Sequence, residues 1–146
     1  MATWEEIRTY RELNNKFAAR IGIRTTKIEE GYAEGEIDIA PEHGNAVGSV
    51  HGGCIFSLAD TIGGAAASSH GARVTTISSD FHYLSPALKA VRLFAAAREI
   101  KNGKHIIVCD VEISDVSGKL IAKGTFSYFN LGGSLVPEEP ETESSH

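Results

Sequence analysis

The sequence predicts an α+β fold in which a curved antiparallel β-sheet wraps around a long central helix, with an amphipathic helix at the N-terminal end. Three observations carry that prediction. The stretch Gly53–Ser69, GCIFSLADTIGGAAASS, is apolar or small on every side, as a helix buried all round must be. After Gly71 the pattern changes to a period of two, and four such runs follow one another. Two of the joins between them, Asn102-Gly103 and Ser117-Gly118, are hairpin turn signals.

The elements follow in order. Residues 3–18 (TWEEIRTYRELNNKFA) set Trp4, Ile7, Tyr10 or Arg11, Leu13 and Phe17 at three- and four-residue steps, and Thr3 ahead of Glu5 and Glu6 makes a cap. Extended chain begins near Gly22. From Gly31 to Ile39 the alternation is clean, with Tyr32, Glu34, Glu36 and Asp38 on one face and Ala33, Gly35, Ile37 and Ile39 on the other. Pro41 ends this strand, and residues 41–52 (PEHGNAVGSVHG) read as a loop before the central helix. The four later runs are Val74–Tyr83, closed by Pro86, then Val91–Ile100, Ile106–Ser114 and Leu120–Phe129. In the third, Ile107, Cys109, Val111 and Ile113 alternate with polar residues. Residues 133–146 are rich in Pro, Glu and Ser and are expected to be a disordered acidic tail, which leaves 1–132 as a single domain.

Bulk properties exclude several classes of function. A chain of 146 residues with 42% hydrophobic and 23% charged content is an ordinary globular domain. A formal net charge of −5 offers no basic excess for nucleic acid. Cys54 and Cys109 stand in no CxxC or Cys/His cluster, so no metal site is expected. The N-terminal segment is polar and charged, and no apolar run approaches the ~18 residues of a membrane span. The expectation is a cytoplasmic protein with reduced thiols and no membrane partner.

One residue does not fit the core. Asp60 is the only charged side chain in the central helix, and it lies too far inside to be a cap. A carboxylate there is costly unless something pairs with it or uses it. Its structural explanation is a polar seam in which it accepts bonds from Ser or Thr groups. The functional explanation draws on the loop upstream. Asn45, His51, Gly52 and Gly53 meet the helix N-terminus, where unpaired N–H groups and a partial positive charge suit a carbonyl oxygen that becomes negative in acyl transfer. Taken alone, His-Gly-Gly is also an ordinary helix start.

Gly53 and Asp60 are seven residues apart, on one side of the helix but ~10 Å apart along its axis. They cannot easily contact one reacting carbon in one chain. Two central helices paired antiparallel about a two-fold axis would bring Asp60 of one copy to the Gly53 end of the other. A homodimer with two shared sites is the resulting hypothesis.

The segment GNAVGSVHGGCIFSLAD, with Asn45, Gly48, His51, Gly52, Gly53 and Asp60 at their spacings, resembles the signature of the PaaI-type (phenylacetate-degradation) hotdog thioesterases. Tyr83-Leu84-Ser85-Pro86 is similar to that family too, and the likeness runs from about residue 20 to 131. It implies a hotdog fold, dimers that pair into homotetramers, and hydrolysis of an acyl-CoA substrate to free acid and CoA without a cofactor. By position it implies that the Gly53 N–H and Asn45 polarise the thioester carbonyl, with His51 arranging the loop. Asp60 of the facing subunit would activate water or attack as nucleophile. Thr76 falls where relatives carry a Ser that orients the water. Gly52, Tyr83, Pro86 and Lys89 are the expected substrate contacts. Thioesters are activated acyl donors, so a base, a water and an oxyanion site suffice. Two other functions compete: a hotdog dehydratase or hydratase working through His51, and a non-catalytic acyl-CoA binding module. The second gives no reason for a buried carboxylate, and the first sits poorly with Gly52-Gly53 and Asp60.

Overall fold

Six strands form one antiparallel sheet, and one helix lies across its inner face. The structure, a computed structural model, describes residues 1–138. The elements are α1 (Trp4–Asn14), α2 (Lys16–Ile21), β1 (Ile23–Glu29), β2 (Tyr32–Asp38), α3 (Gly52–Ala67), β3 (Ala72–Tyr83), β4 (Arg92–Asn102), β5 (Ile106–Asp115) and β6 (Leu120–Ser134). The strand order is β1-β2-β4-β5-β6-β3, every neighbour antiparallel.

The core forms where the small, apolar sides of α3 meet the inward alternation of the strands. Leu58, Ala59, Ile62 and Ala65 to Ala67 are fully buried. So are Ile37, Leu93, Ala97, Cys109, Val111, Ile113 and Phe126 from four strands. Ile107, Cys109, Val111 and Ile113 all point inward, as their spacing requires. β3 and β6 approach closely at Gly124. A methyl group at Gly124 would stand 2.2 Å from the carbonyl oxygen of Asp80 and 2.7 Å from the Phe81 Cα, both rigid backbone atoms. Gly124→Ala is therefore expected to cost ~1–3 kcal/mol through overpacking, measured as a lower urea midpoint at unchanged slope.

The N-terminal segment is two helices instead of one. Thr3 caps α1 in a reciprocal box with Glu6, but Asn15 leaves helical geometry and its side chain accepts from the Ala18 N–H to start α2. Asparagine competes for backbone bonds inside helices and favours caps, which explains the break. The four later runs are strands, yet they are not four neighbours in space. β4, β5 and β6 form a meander, while β3 pairs with β6 at the far edge and the segment after Tyr83 crosses to β4 on the other side. No hairpin signal links β3 to β4, whereas Pro86 breaks the chain between them.

Two further differences bear on function. The last strand runs to Ser134, past the point where the tail was expected to begin, and Leu135 N–H donates to Gly71. The remainder of that tail, from 139 onward, lies outside the described residues. And α3 is not covered all round. Gly53 is exposed, and Phe56, Ser57, Asp60 and Thr61 are only half-buried, a stripe that follows helical spacing. Beside it lies β3, with nine of its twelve residues exposed. One sheet has one inner face, so the composition of α3 exceeds what a single chain can cover.

Candidate active site

Asp60 faces out of the core along the uncovered stripe of α3. The Thr76 hydroxyl, from β3, donates to Asp60 Oδ1 at 2.7 Å. The Tyr128 hydroxyl, from β6, donates to the Asp60 carbonyl oxygen at 2.9 Å and lies 3.3 Å from the same Oδ1. Oδ2 accepts no hydrogen bond from the described residues. A cleft of about 430 Å³ opens here, with Arg11, Phe17, Phe56, Thr76 and Tyr128 around the carboxylate. Arg11 reaches in from α1 to donate to the Thr61 carbonyl at 3.0 Å and the Ser68 hydroxyl at 3.2 Å, and its enclosed Nε has no partner among the described residues. Burial lowers the Arg11 pKa, with neighbouring Tyr128 and Asp60 opposing the shift. A guanidinium stays cationic under such a shift.

The loop residues gather elsewhere on the same chain. Asn45, Gly52, Tyr83 and Pro86 line a second cleft of about 340 Å³, together with Ile55 and Leu84. The Asn45 side chain builds the loop: its Oδ1 accepts from the N–H groups of Val47 and Ser49, and its Nδ2 donates to the Ser49 hydroxyl at 2.7 Å. The second Nδ2 hydrogen has no partner among the described residues. The Tyr83 hydroxyl donates to the Gly52 carbonyl at 2.8 Å, which ties the end of β3 to the start of α3. An aromatic cluster separates the two clefts. Phe81 packs edge-on against Phe56 and Tyr83 at 5.7 and 5.2 Å, and Phe126 closes it from below.

His51 is the N-cap of α3. Its Nδ1 accepts the Gly53 N–H at 2.7 Å, leaving a neutral ring's proton on Nε2. The Gly53 N–H is already occupied, whereas the Gly52 N–H, at the first helical position, has no partner among the described residues. Lys89 stands apart from both clefts. It is exposed on the connecting loop and is the one non-glycine among the described residues with positive φ, at 50°.

Other nucleophiles are poorly placed. Burial pushes the Cys109 thiol up to about 12 and raises Cys54 as well, so neither supplies a thiolate near neutrality. No three His, Cys, Asp or Glu side chains gather as metal ligands among the described residues, and no helix there is long and apolar enough to cross a membrane. Sequence reasoning missed Tyr128, whose signal was a polar-tipped aromatic at an inward strand position, a place where a hydroxyl must find a partner. Arg11 entered only as a helix-face alternative to Tyr10.

Comparison with known proteins identifies the family and the fold. Residues 47–122, just over half the chain, match the model of the thioesterase superfamily. The acyl-coenzyme A thioesterase PaaI of Escherichia coli is 30% identical, over 86% of this chain and 89% of its own length. The solved E. coli PaaI structure superposes with a TM-score of 0.83 at 26% identity, covering 91% of this chain and 99% of that one. A Streptococcus pneumoniae thioesterase solved with coenzyme A superposes at 0.77 and 26% identity, over 84% and 98%. That protein has also been solved with alanine replacing an aspartate and, separately, a threonine sixteen positions further on. The matching family model, the shared fold and the relatives' identity over most of the chain lead to one assignment: this chain belongs to the thioesterase superfamily, as a PaaI-type hotdog-fold thioester hydrolase.

Proposed function

We propose that the protein hydrolyses an acyl-CoA to free acid and CoA at sites shared between two copies of the chain. The observation that carries this reading is the division of the site. Asp60 and Thr76 line one cleft, while Asn45 and Gly52 line another. Gly52 and Asp60 are eight positions apart in the helix, ~12 Å along the axis. A second copy related by a two-fold axis joins the clefts in pairs, one from each chain.

The surfaces support that assembly. β3 is a twelve-residue sheet edge, and Val74 to Ser79 along it carry no charge. Such an edge pairs readily with its like, because its outer N–H and C=O groups are unsatisfied. Antiparallel pairing of two β3 edges sets the open stripes of the two α3 helices face to face. Dimers of this kind then pair into the tetramer, through the outer sheet face where Phe94 is half-exposed.

At the joined site the chemistry runs as follows. Asp60 Oδ2 takes a proton from a water that also donates to the Thr76 hydroxyl oxygen, and that water's oxygen attacks the thioester carbon. The negative charge gathers on the carbonyl oxygen, held by the Gly52 N–H and the spare Asn45 Nδ2 hydrogen of the facing copy. The intermediate collapses, the C–S bond breaks, and the thiolate leaves as CoA with the proton held by Asp60. The Asp-Thr spacing of sixteen equals that of the two positions replaced in the S. pneumoniae thioesterase. Tyr83 and Pro86 form the wall for the acyl-CoA on the loop side, and Lys89, outside both clefts, can meet CoA phosphate only where the nucleotide end extends beyond them.

Thiol release from a panel of aromatic and aliphatic acyl-CoAs, with light scattering on the same sample, tests this. Turnover by a dimer or larger assembly is the expected result. A monomer that turns over thioesters would overturn the shared site, and an assembly that binds acyl-CoA without turnover would overturn the hydrolysis.

A further inference from the structure

The Tyr128 hydroxyl is the least expected group beside Asp60. The ring is 1% exposed and stacks against Phe126, with centroids 6.4 Å apart. Nothing in apolar packing asks for an oxygen at its tip, where phenylalanine would fill the same volume. The helix makes room for that oxygen. A methyl group at Gly63 would stand 2.3 Å from the hydroxyl, so the phenol reaches the backbone of α3 only because that position is glycine.

From there its single proton is shared between two atoms of Asp60 in a three-centre bond, the main-chain carbonyl at 2.9 Å and, as the longer branch, Oδ1 at 3.3 Å. Thr76 approaches the same Oδ1 from β3 at 2.7 Å. We propose that Tyr128 is a positioning residue for Asp60: with Thr76 it commits Oδ1 to hydrogen bonds and fixes the carboxylate plane, leaving Oδ2 as the oxygen that meets the water. This rests on Asp60 being the catalytic carboxylate.

The surroundings keep the phenol a donor. The groups facing it are Asp60 on α3, Cys109 on β5 and Arg11 on α1, and burial followed by the Asp60 charge raises its pKa well above 10. The hydroxyl therefore stays protonated throughout the working range of a thioesterase. An oriented carboxylate is worth holding, since ~1 Å of misplacement can cost as much as 10²-fold in rate.

Tyr128→Phe keeps the ring and its packing, and is expected to lower kcat roughly 10-fold, within that limit, with KM unchanged. Gly63→Ala displaces the hydroxyl by another route and should reproduce the same split. The double variant should be no slower than the slower single one, because both remove one contact. In an Asp60→Asn background Tyr128→Phe should leave the residual rate untouched, whereas a loss of general packing would lower it again. A Tyr128→Phe enzyme with wild-type kcat, or one whose loss lies in KM, overturns the proposal. If Asp60→Asn itself keeps full activity, the catalytic assignment of Asp60 fails instead, and the two failures are told apart.

Discussion

Asp60→Asn is expected to lower thioester turnover by ~10²–10⁴-fold, the range for a lost general base, in a protein that folds and assembles as the wild type does. The substitution is close to isosteric. Asn Oδ1 can still accept from Thr76 and Tyr128, whose hydroxyls bond Oδ1 and not Oδ2. What changes is the other atom, from an acceptor carrying charge to an NH₂ that cannot take a proton. The experiment thus separates two explanations of the residue. Asp60 does sit in a polar seam with a threonine hydroxyl, as a structural role requires. If that role were its only one, asparagine would satisfy the same donors and the rate would hold. Circular dichroism and an unchanged elution volume establish that a slow variant is a folded one. An equally active Asp60→Asn would direct attention away from this carboxylate altogether.

Much of this was legible in the sequence, and the parts that were not share a cause. Local signals performed well. The small, apolar run from Gly53 is a helix, the alternation around Cys109 is an inward strand face, and Asn102-Gly103 and Ser117-Gly118 join neighbouring strands. Each of these is decided within a few residues by side-chain period or turn chemistry. The position of β3 was not legible, because which strand becomes a neighbour is settled by contacts some fifty residues away in the chain. The uncovered stripe on α3 was misjudged for a related reason. Composition registers everything that will eventually cover a helix, including surface that a second copy can supply, and a single chain covers only part of it. At the site, the motif led to the loop at the start of α3, where the amide without a partner among the described residues is that of Gly52, next to the Gly53 amide that the resemblance implies. Whether Gly52 or Gly53 keeps a free N–H depends on the χ angles of His51, which caps Gly53. No pattern of residue types encodes that choice.

That choice and the shared site can be tested together with Gly52→Pro. Gly52 is the first residue of α3, where the N–H has no intrahelical partner and proline is well tolerated. His51 precedes it in extended geometry with ψ 135°, clear of the helical region that proline disfavours in its predecessor. A side chain at position 52 meets the Tyr83 ring at 3.3 Å, and that half-exposed ring must shift by a few tenths of an ångström while its hydroxyl keeps its bond to the position-52 carbonyl. The substitution therefore deletes one N–H and little else, while the His51 cap on Gly53 remains. Loss of ~10²–10³-fold in kcat is the expectation for one oxyanion donor. A fully active Gly52→Pro would return the role to Gly53. Mixing then locates the halves. Each variant alone is impaired in every site, but in a mixed dimer one site combines the intact Asp60 of one chain with the intact Gly52 of the other, and its twin carries both lesions. Random exchange at equal concentrations makes half of the dimers mixed, so activity should recover to about a quarter of the wild-type value. If both groups served within one chain, every site in every mixture would still hold a lesion and no activity would return. Recovery on mixing two impaired proteins has no explanation in packing or folding, so it would be direct evidence that a carboxylate and an amide from two chains meet at one site.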